Sequence, residues 1–333
     1  MPQTDMPLAQ LLPHLDRLAQ DALALWDLPE GAIARRINVS ENTTYRVDAP
    51  GRRAILRIHR AGYHSRAAIT SELDWIAALD RDRAIAVPGM HPGRDGQLIQ
   101  SARIAGQGPR RRMVLFDFVP GRHPEEGGDL APGFEQLGAI AARCHIHARG
   151  WRRPAGFERP AWDLEAVFGP AAPWGDWRAA PHVTPGIRDL LEEVQERLEA
   201  RLARFGRGAG RYGLIHSDMR LANVLIGPEG PRLIDFDDCG FGWFLYDFAA
   251  AVSFVEDDPR LPALKAAWLR GYERICPLAP EDKAEMDSFI MLRRMALLAW
   301  IGSRRDAPEP QSLAPHFARG TEGLARRWLG GGL

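Results

Sequence analysis

The chain has 333 residues, 45% hydrophobic and 26% charged, and its 43 basic residues are balanced by 43 acidic ones. That length accommodates two lobes around a real core, and the balanced charge leaves no broad electrostatic basis for binding nucleic acid or an anionic membrane. Three scattered cysteines (Cys144, Cys239 and Cys276) are too few for a disulfide framework or a zinc site. No run approaches about 18 apolar residues, and the polar start Met1–Asp5 has no secretory core, so a soluble, cytoplasmic protein is expected. Lysine occurs only at Lys265 and Lys283, so the first 264 residues draw every basic group from arginine or histidine.

Leu8, Leu11, Leu12, Leu15, Leu18, Ala22 and Leu25 recur at helical spacing and predict an amphipathic opening helix. Ile37–Val39, Thr44–Val47 and Ala54–Ile58 are short β-prone runs, broken by Ser40-Glu41-Asn42 and Pro50-Gly51. A helix is expected from about Ser65 to Leu79, then strands at Leu98–Gln100 and Met113–Val119. Beyond Gly121 the pattern turns helical, over Phe134–Ala148 and Ile187–Phe205, with an aperiodic, Trp- and Pro-rich stretch from Trp151 to Pro185. A β-island follows: Leu214-Ile215, Val224–Ile226, a turn at Gly227–Gly230, and a strand from Leu233 to Phe236. Helical periodicity resumes at Leu245 and runs, with interruptions, to Trp328. The expected fold class is α+β with two lobes, a β-rich one over residues 1–118 and a larger helical one over 119–333.

The chemistry concentrates in Ile215–Asn223, which reads Ile-His-Ser-Asp-Met-Arg-Leu-Ala-Asn, and in Ile234-Asp235-Phe236. Phosphoryl transfer needs one carboxylate to orient or deprotonate the attacking hydroxyl, and an amide and a second carboxylate to hold the magnesium that bridges the nucleotide phosphates. His-x-Asp-x4-Asn followed by strand-Asp supplies all three in chain order, with Asp218 as the carboxylate and Asn223 and Asp235 as the metal pair. Asp237 and Asp238 either support a second ion or belong to the turn before Cys239-Gly240. His216 reads better as a loop-positioning hydrogen-bonder than as a catalyst. Asp247 either caps the helix it opens or accepts N–H bonds from the loop. Trp151, Trp162, Trp174 and Trp177 either wall the acceptor site or pin an irregular segment to the core.

His216-Ser217-Asp218 through Asn223, Ile234-Asp235-Phe236 and Tyr246-Asp247-Phe248-Ala249 together resemble the motif set of the aminoglycoside phosphotransferase, choline kinase and type II homoserine kinase group. The resemblance spans essentially the whole chain and implies a protein-kinase-like fold, ATP and magnesium as cosubstrate and cofactor, and a small hydroxylated acceptor. It further implies that Arg57 stands where the family has a phosphate-binding lysine, with Glu72 as its partner. Ser40, Asn42 and Thr43 fall in a glycine-free phosphate-covering loop, and Phe116 and Phe118 in the adenine-binding hinge. Arg220 stands where protein kinases carry a lysine that meets the transferring phosphoryl group, unless it pairs with a neighbouring acid. A stress-response-type protein Ser/Thr kinase and an inactive nucleotide-binding module are the alternative readings.

Overall fold

The computed structural model describes residues 7–104, 107–124, 128–305 and 307–333. The polar start Met1–Asp5 lies outside the described residues. Two compact units emerge, one built from residues through Ala77, 87–120 and 154–158, the other from 78–86, 121–153 and 159–333.

In the first unit, α1 (Leu8–Ala22) precedes three strands, β1 (Ile33–Val39), β2 (Thr43–Ala49) and β3 (Arg52–Ile58). Next come α2 (Arg66–Arg81, whose last turn belongs to the second unit), β4 (Met90–His91), β5 (Gln100–Ile104) and β6 (Gln107–Asp117). The sheet is antiparallel in the order β1-β2-β3-β6-β4, with β5 also paired to β6. Period-two alternation puts Tyr45 and Val47, Ala54, Leu56 and Ile58, and Met113 and Leu115 on one face, and they share a core with Leu15, Leu18 and Trp26. The strand expected at Leu98–Gln100 starts only at Gln100. The one expected to reach Val119 stops at Asp117, whose N–H turns to Gly89 O (2.9 Å), and Pro120 has no N–H with which to prolong a ladder.

The second unit opens with α3 (Ala131–Gly150), β7 (Ala161–Trp162), α4 (Leu164–Phe168) and α5 (Pro185–Phe205). Then follow β8 (Tyr212–Ile215), β9 (Val224–Gly227), β10 (Gly230–Leu233) and β11 (Gly240–Trp243). The rest is helical: α6 (Tyr246–Ala251), α7 (Leu261–Glu273), α8 (Pro280–Ala284), α9 (Met286–Ser303) and α10 (Pro308–Leu329). α5 shows how local chemistry sets boundaries. Thr184 Oγ1 accepts from Ile187 N–H, Pro185 occupies the first turn, and Gly206 at φ 76° ends the helix. α3 and α7 meet at two glycines, where a Cβ on Gly138 would lie 2.0 Å from Trp268 O and one on Gly271 1.9 Å from Glu135 O. α9 is buried on every side from Ser288 to Ile301 and forms the axis of the unit.

Two small sheets carry the loops of interest. β11 pairs antiparallel with β8 and parallel with β7, while β9 and β10 form a hairpin. Residues 216–223 link β8 to β9, and residues 234–239 link β10 to β11. The strand expected over Leu233–Phe236 is corrected here. β10 ends at Leu233 because Asp235 takes φ 62°, which a ladder cannot accommodate. Among the described residues, no helix is long and apolar enough to cross a membrane.

Candidate active site

In the first unit, β3 and β6 present Arg57 and Phe116 on the face opposite Leu56 and Leu115, and α2 supplies Glu72. Arg57 Nη2 donates to Glu72 Oε1 at 2.5 Å, and its guanidinium lies 5.0 Å from the Phe116 ring centroid. The side chains are 6% and 0% exposed, so the two charges compensate each other where water cannot. Ser40 and Asn42 close a tight β1–β2 hairpin through Ser40 N–H to Asn42 O (2.9 Å), and Thr43 opens β2 opposite Val39. Asn42 is buried with its Oδ1 accepting from Arg60 N–H (3.3 Å), which anchors the hairpin. Phe118 lies just past β6, with Arg53 4.8 Å above its ring. Asp117 between the two phenylalanines ties the strand end to Gly89 N–H (3.2 Å) and His91 Nε2 (2.7 Å).

In the second unit, Asp247 organises the 216–223 loop. It lies in the first turn of α6 but caps nothing there; its two carboxylate oxygens accept the N–H groups of His216 (3.2 Å) and Ser217 (2.6 Å). His145 on α3 holds Asp247 Oδ2 at 2.9 Å and meets the Tyr272 hydroxyl at 2.9 Å on its other side, all within the buried core. His216 Nδ1 accepts from Asp218 N–H (3.3 Å), so its Nε2 is the donor to Ile234 O (3.1 Å). That neutral tautomer knits the two loops together and leaves His216 in a positioning role.

The 234–239 turn is held mainly through its carbonyls. Arg159 donates to Asp237 O and, at 2.5 Å, to Cys239 O; Trp162 Nε1 (2.7 Å) and Ser217 Oγ both reach Asp238 O. Ser217 (φ 64°) and Asp235 (φ 62°) occupy the left-handed region, at a cost of about 1–3 kcal/mol each that such a hydrogen-bonded frame sustains. Ile234 N–H donates to Asn223 O (2.9 Å), extending the β9–β10 register by one pair, and Asp235 is the next residue along the chain. Asp237 is buried and Asp238 partly buried within this turn.

Asp218 sits at the centre. Its Oδ2 accepts from Asn223 Nδ2 (2.8 Å), which also donates to Asp218 O (2.8 Å). Its Oδ1 accepts from Arg293 Nη2 (3.0 Å) and lies 3.2 Å from Arg220 Nε. Burial pushes this carboxyl up, but the Arg220 and Arg293 guanidiniums and the Asn223 amide outweigh it and hold the group below the ordinary carboxylate range. Asp218, in turn, raises Arg220 above its ordinary value against burial. Arg220 also lies 3.8 Å from Glu309 on α10 and 5.4 Å from the Phe254 ring centroid, so the pairing with neighbouring acids is what the structure displays.

Arg293 was not among the residues the sequence motifs pointed to, since it lies 75 positions beyond Asp218 on α9. A signal exists all the same: Arg293-Arg294 interrupts the otherwise apolar run Phe289–Ile301, and buried arginines require partners. Trp162, Trp174 and Trp177 are buried, and Trp177 Nε1 reaches Gln195 (3.0 Å), which makes this part of the irregular segment a set of pins. Trp174 does more, because its ring centroid lies 5.2 Å from the Arg293 guanidinium.

Comparison with known proteins agrees with this architecture. The sequence profile described as the phosphotransferase enzyme family matches residues 33–285. The solved structure of a microcompartment-associated aminopropanol kinase superposes with a TM-score of 0.88 at 42% identity, over 94% of this chain and 97% of that one. An amicoumacin kinase solved in complex with AMP-PNP, Ca2+ and Ami shares the fold at a TM-score of 0.76 and 19% identity, over 95% of this chain and 96% of that one. A homoserine kinase from Neisseria meningitidis serogroup B is 35% identical over 198 residues, 56% of this chain and 59% of that protein. The expected two-lobed α+β class is therefore the protein-kinase-like fold, and the chain belongs to the phosphotransferase enzyme family as a kinase that phosphorylates an alcohol group.

Proposed function

We propose that the protein is an ATP- and magnesium-dependent kinase that phosphorylates the hydroxyl of a small amino alcohol, with aminopropanol the first candidate. The observation that carries the substrate is the 42% identity to an aminopropanol kinase over nearly the full length of both chains. Asp218 receives the acceptor hydroxyl. The hydroxyl oxygen bonds to the γ-phosphorus, the bond from that phosphorus to its bridging oxygen breaks with the electron pair leaving on ADP, and the hydroxyl proton passes to the Asp218 carboxylate. Arg57, braced by Glu72, grips nucleotide phosphate. Ser40, Asn42 and Thr43 shape the hairpin over it through backbone N–H groups, and Phe116 and Phe118 belong to the adenine-binding segment. Arg220 offsets charge on the transferring phosphoryl oxygens.

The donor set fits magnesium. Both protons of a primary amide sit on nitrogen, and Asn223 Nδ2 is committed to Asp218, which leaves Oδ1 as a hard oxygen donor. Asp235, exposed at the adjoining turn, adds a carboxylate. When bound there, the ion would neutralise charge between the nucleotide phosphates.

The test is ADP release with Mg-ATP against a panel of aminopropanol, ethanolamine, choline, homoserine, aminoglycosides, sugars and generic protein substrates. The proposal expects the highest kcat/KM with an amino alcohol. Turnover confined to protein substrates would select the protein-kinase alternative, and binding of nucleotide without turnover on any acceptor would select the inactive module.

A further inference from the structure

Arg293 and Arg294 are adjacent on α9 and both buried, yet they are satisfied differently. Arg294 is locked into a local network with Glu256 Oε2 (2.7 Å), Thr321 Oγ1 (2.9 Å), Phe317 O (3.3 Å) and the Phe317 ring, 3.7 Å below its guanidinium. That set accounts for its burial without reference to the active site. Arg293, 3% exposed, has Asp218 as its one ion-pair partner among the described residues. Its Nε donates to Ser253 Oγ (3.2 Å), the rings of Trp174 and Tyr246 lie 5.2 and 5.8 Å from it, and the Tyr246 hydroxyl faces the same guanidinium.

The contrast with Arg220 is equally informative. Arg220 is 27% exposed at the side chain, shares itself between Asp218 and Glu309, and its Nε contact to Asp218 lacks hydrogen-bond geometry. Of the two cations on Oδ1, Arg293 is enclosed and hydrogen-bonded, and Arg220 is partly exposed and is not hydrogen-bonded to it. A carboxylate offers about four lone-pair positions, and Arg293 and Asn223 take one on each oxygen. The carboxylate plane is thereby set by two hydrogen bonds, with the second position on Oδ2 remaining for an incoming hydroxyl.

We propose that Arg293 is a positioning residue, whose guanidinium, seated between Ser253 and Trp174, pins Asp218 Oδ1 and aims the rest of the carboxylate at the acceptor hydroxyl. This rests on the reading of Asp218 as the acceptor-binding carboxylate. Arg220 then has the separate task of following the phosphoryl group, and the two arginines are not interchangeable.

The experiment compares Arg293→Met, Arg293→Gln and Arg293→Lys in the full chain, alone and with Asp218→Asn, using Mg-ATP and aminopropanol. Arg293→Met and Arg293→Gln are expected to lower kcat by about 10- to 100-fold, the range by which misplacing a catalytic group slows a reaction. KM for ATP should stay within about twofold, and Arg293→Lys should recover most of kcat because it keeps one charged donor. In the Asp218→Asn background the same substitutions should have no further effect on kcat, since Arg293 acts through Asp218. A merely structural role would change the melting temperature without this split and without the non-additivity, and would overturn the proposal. Neutral variants with wild-type kcat would also overturn it while Asp218→Asn remained inactive; an active Asp218→Asn protein would instead overturn the reading of Asp218 itself. If neither neutral single variant folds, recovery of folded protein in Asp218→Asn/Arg293→Met supports the pairing, and failure of that double variant contradicts it.

Discussion

Each unit of the molecule holds, among its candidate site residues, an arginine–carboxylate pair beside an aromatic ring, and the two pairs are built the opposite way round. In the first unit Glu72 is wholly enclosed and Arg57 is the slightly more accessible end, at 6% against 0%. In the second unit Arg293 is enclosed at 3% and Asp218 is the accessible end, at 16%. A buried charge needs a compensating partner, so in the proposed kinase the enclosed member serves as an anchor and the other faces the chemistry. In the proposed kinase, one pair offers a cation for phosphate and the other an anion for a hydroxyl.

The largest expected effect comes from the working end of the second pair. Asp218→Asn keeps an oxygen acceptor for Arg293 but removes its counter-charge, and should lower kcat by about 10³-fold, within the usual contribution of a general base, as measured by steady-state turnover of aminopropanol. Next is the anchor of the first pair. Glu72→Ala removes the buried carboxylate that faces Arg57 and should destabilise the protein by about 3–5 kcal/mol in denaturant titration, far more than loss of an exposed pair would. A Glu72→Ala protein with wild-type stability would break the comparison.

Substitution at the working end of the first pair should act on binding. Arg57→Met should raise the KM for ATP about tenfold or more, about the loss of one charge-assisted phosphate contact, and Arg57→Lys should shift it much less because the charge is kept. The smallest effect is expected at Trp174. Trp174→Leu removes a ring beside Arg293 and should lower kcat only a few-fold, in line with roughly 1 kcal/mol for a desolvated cation–π contact. A Trp174→Leu effect as large as that of Arg293→Met would mean that the ring, rather than the guanidinium, holds Asp218.

The asymmetry between the pairs also explains what was legible in the sequence. Asp218, Asn223 and Asp235 are spaced by a short loop and a two-strand hairpin, so local geometry keeps them together and their motif can be read directly. Arg57 and Glu72, 15 residues apart on consecutive elements, were legible once the resemblance to the kinase-like group assigned the strand. Arg293 and His145 reach the same loop from α9 and α3, and their positions depend on how helices pack around α9, which no spacing records. Strand ends misread in the sequence fall at Asp117 and Asp235, where a side chain or a positive φ overrides β-propensity in order to place a functional segment.

The most direct test of the account is 31P NMR of the protein with ATP, Mg²⁺ and aminopropanol, run beside Asp218→Asn. A new phosphomonoester resonance should grow in step with ADP for the wild type and about 10³-fold more slowly for the variant. ADP formed with inorganic phosphate alone, or a phosphomonoester formed equally fast by Asp218→Asn, would contradict it.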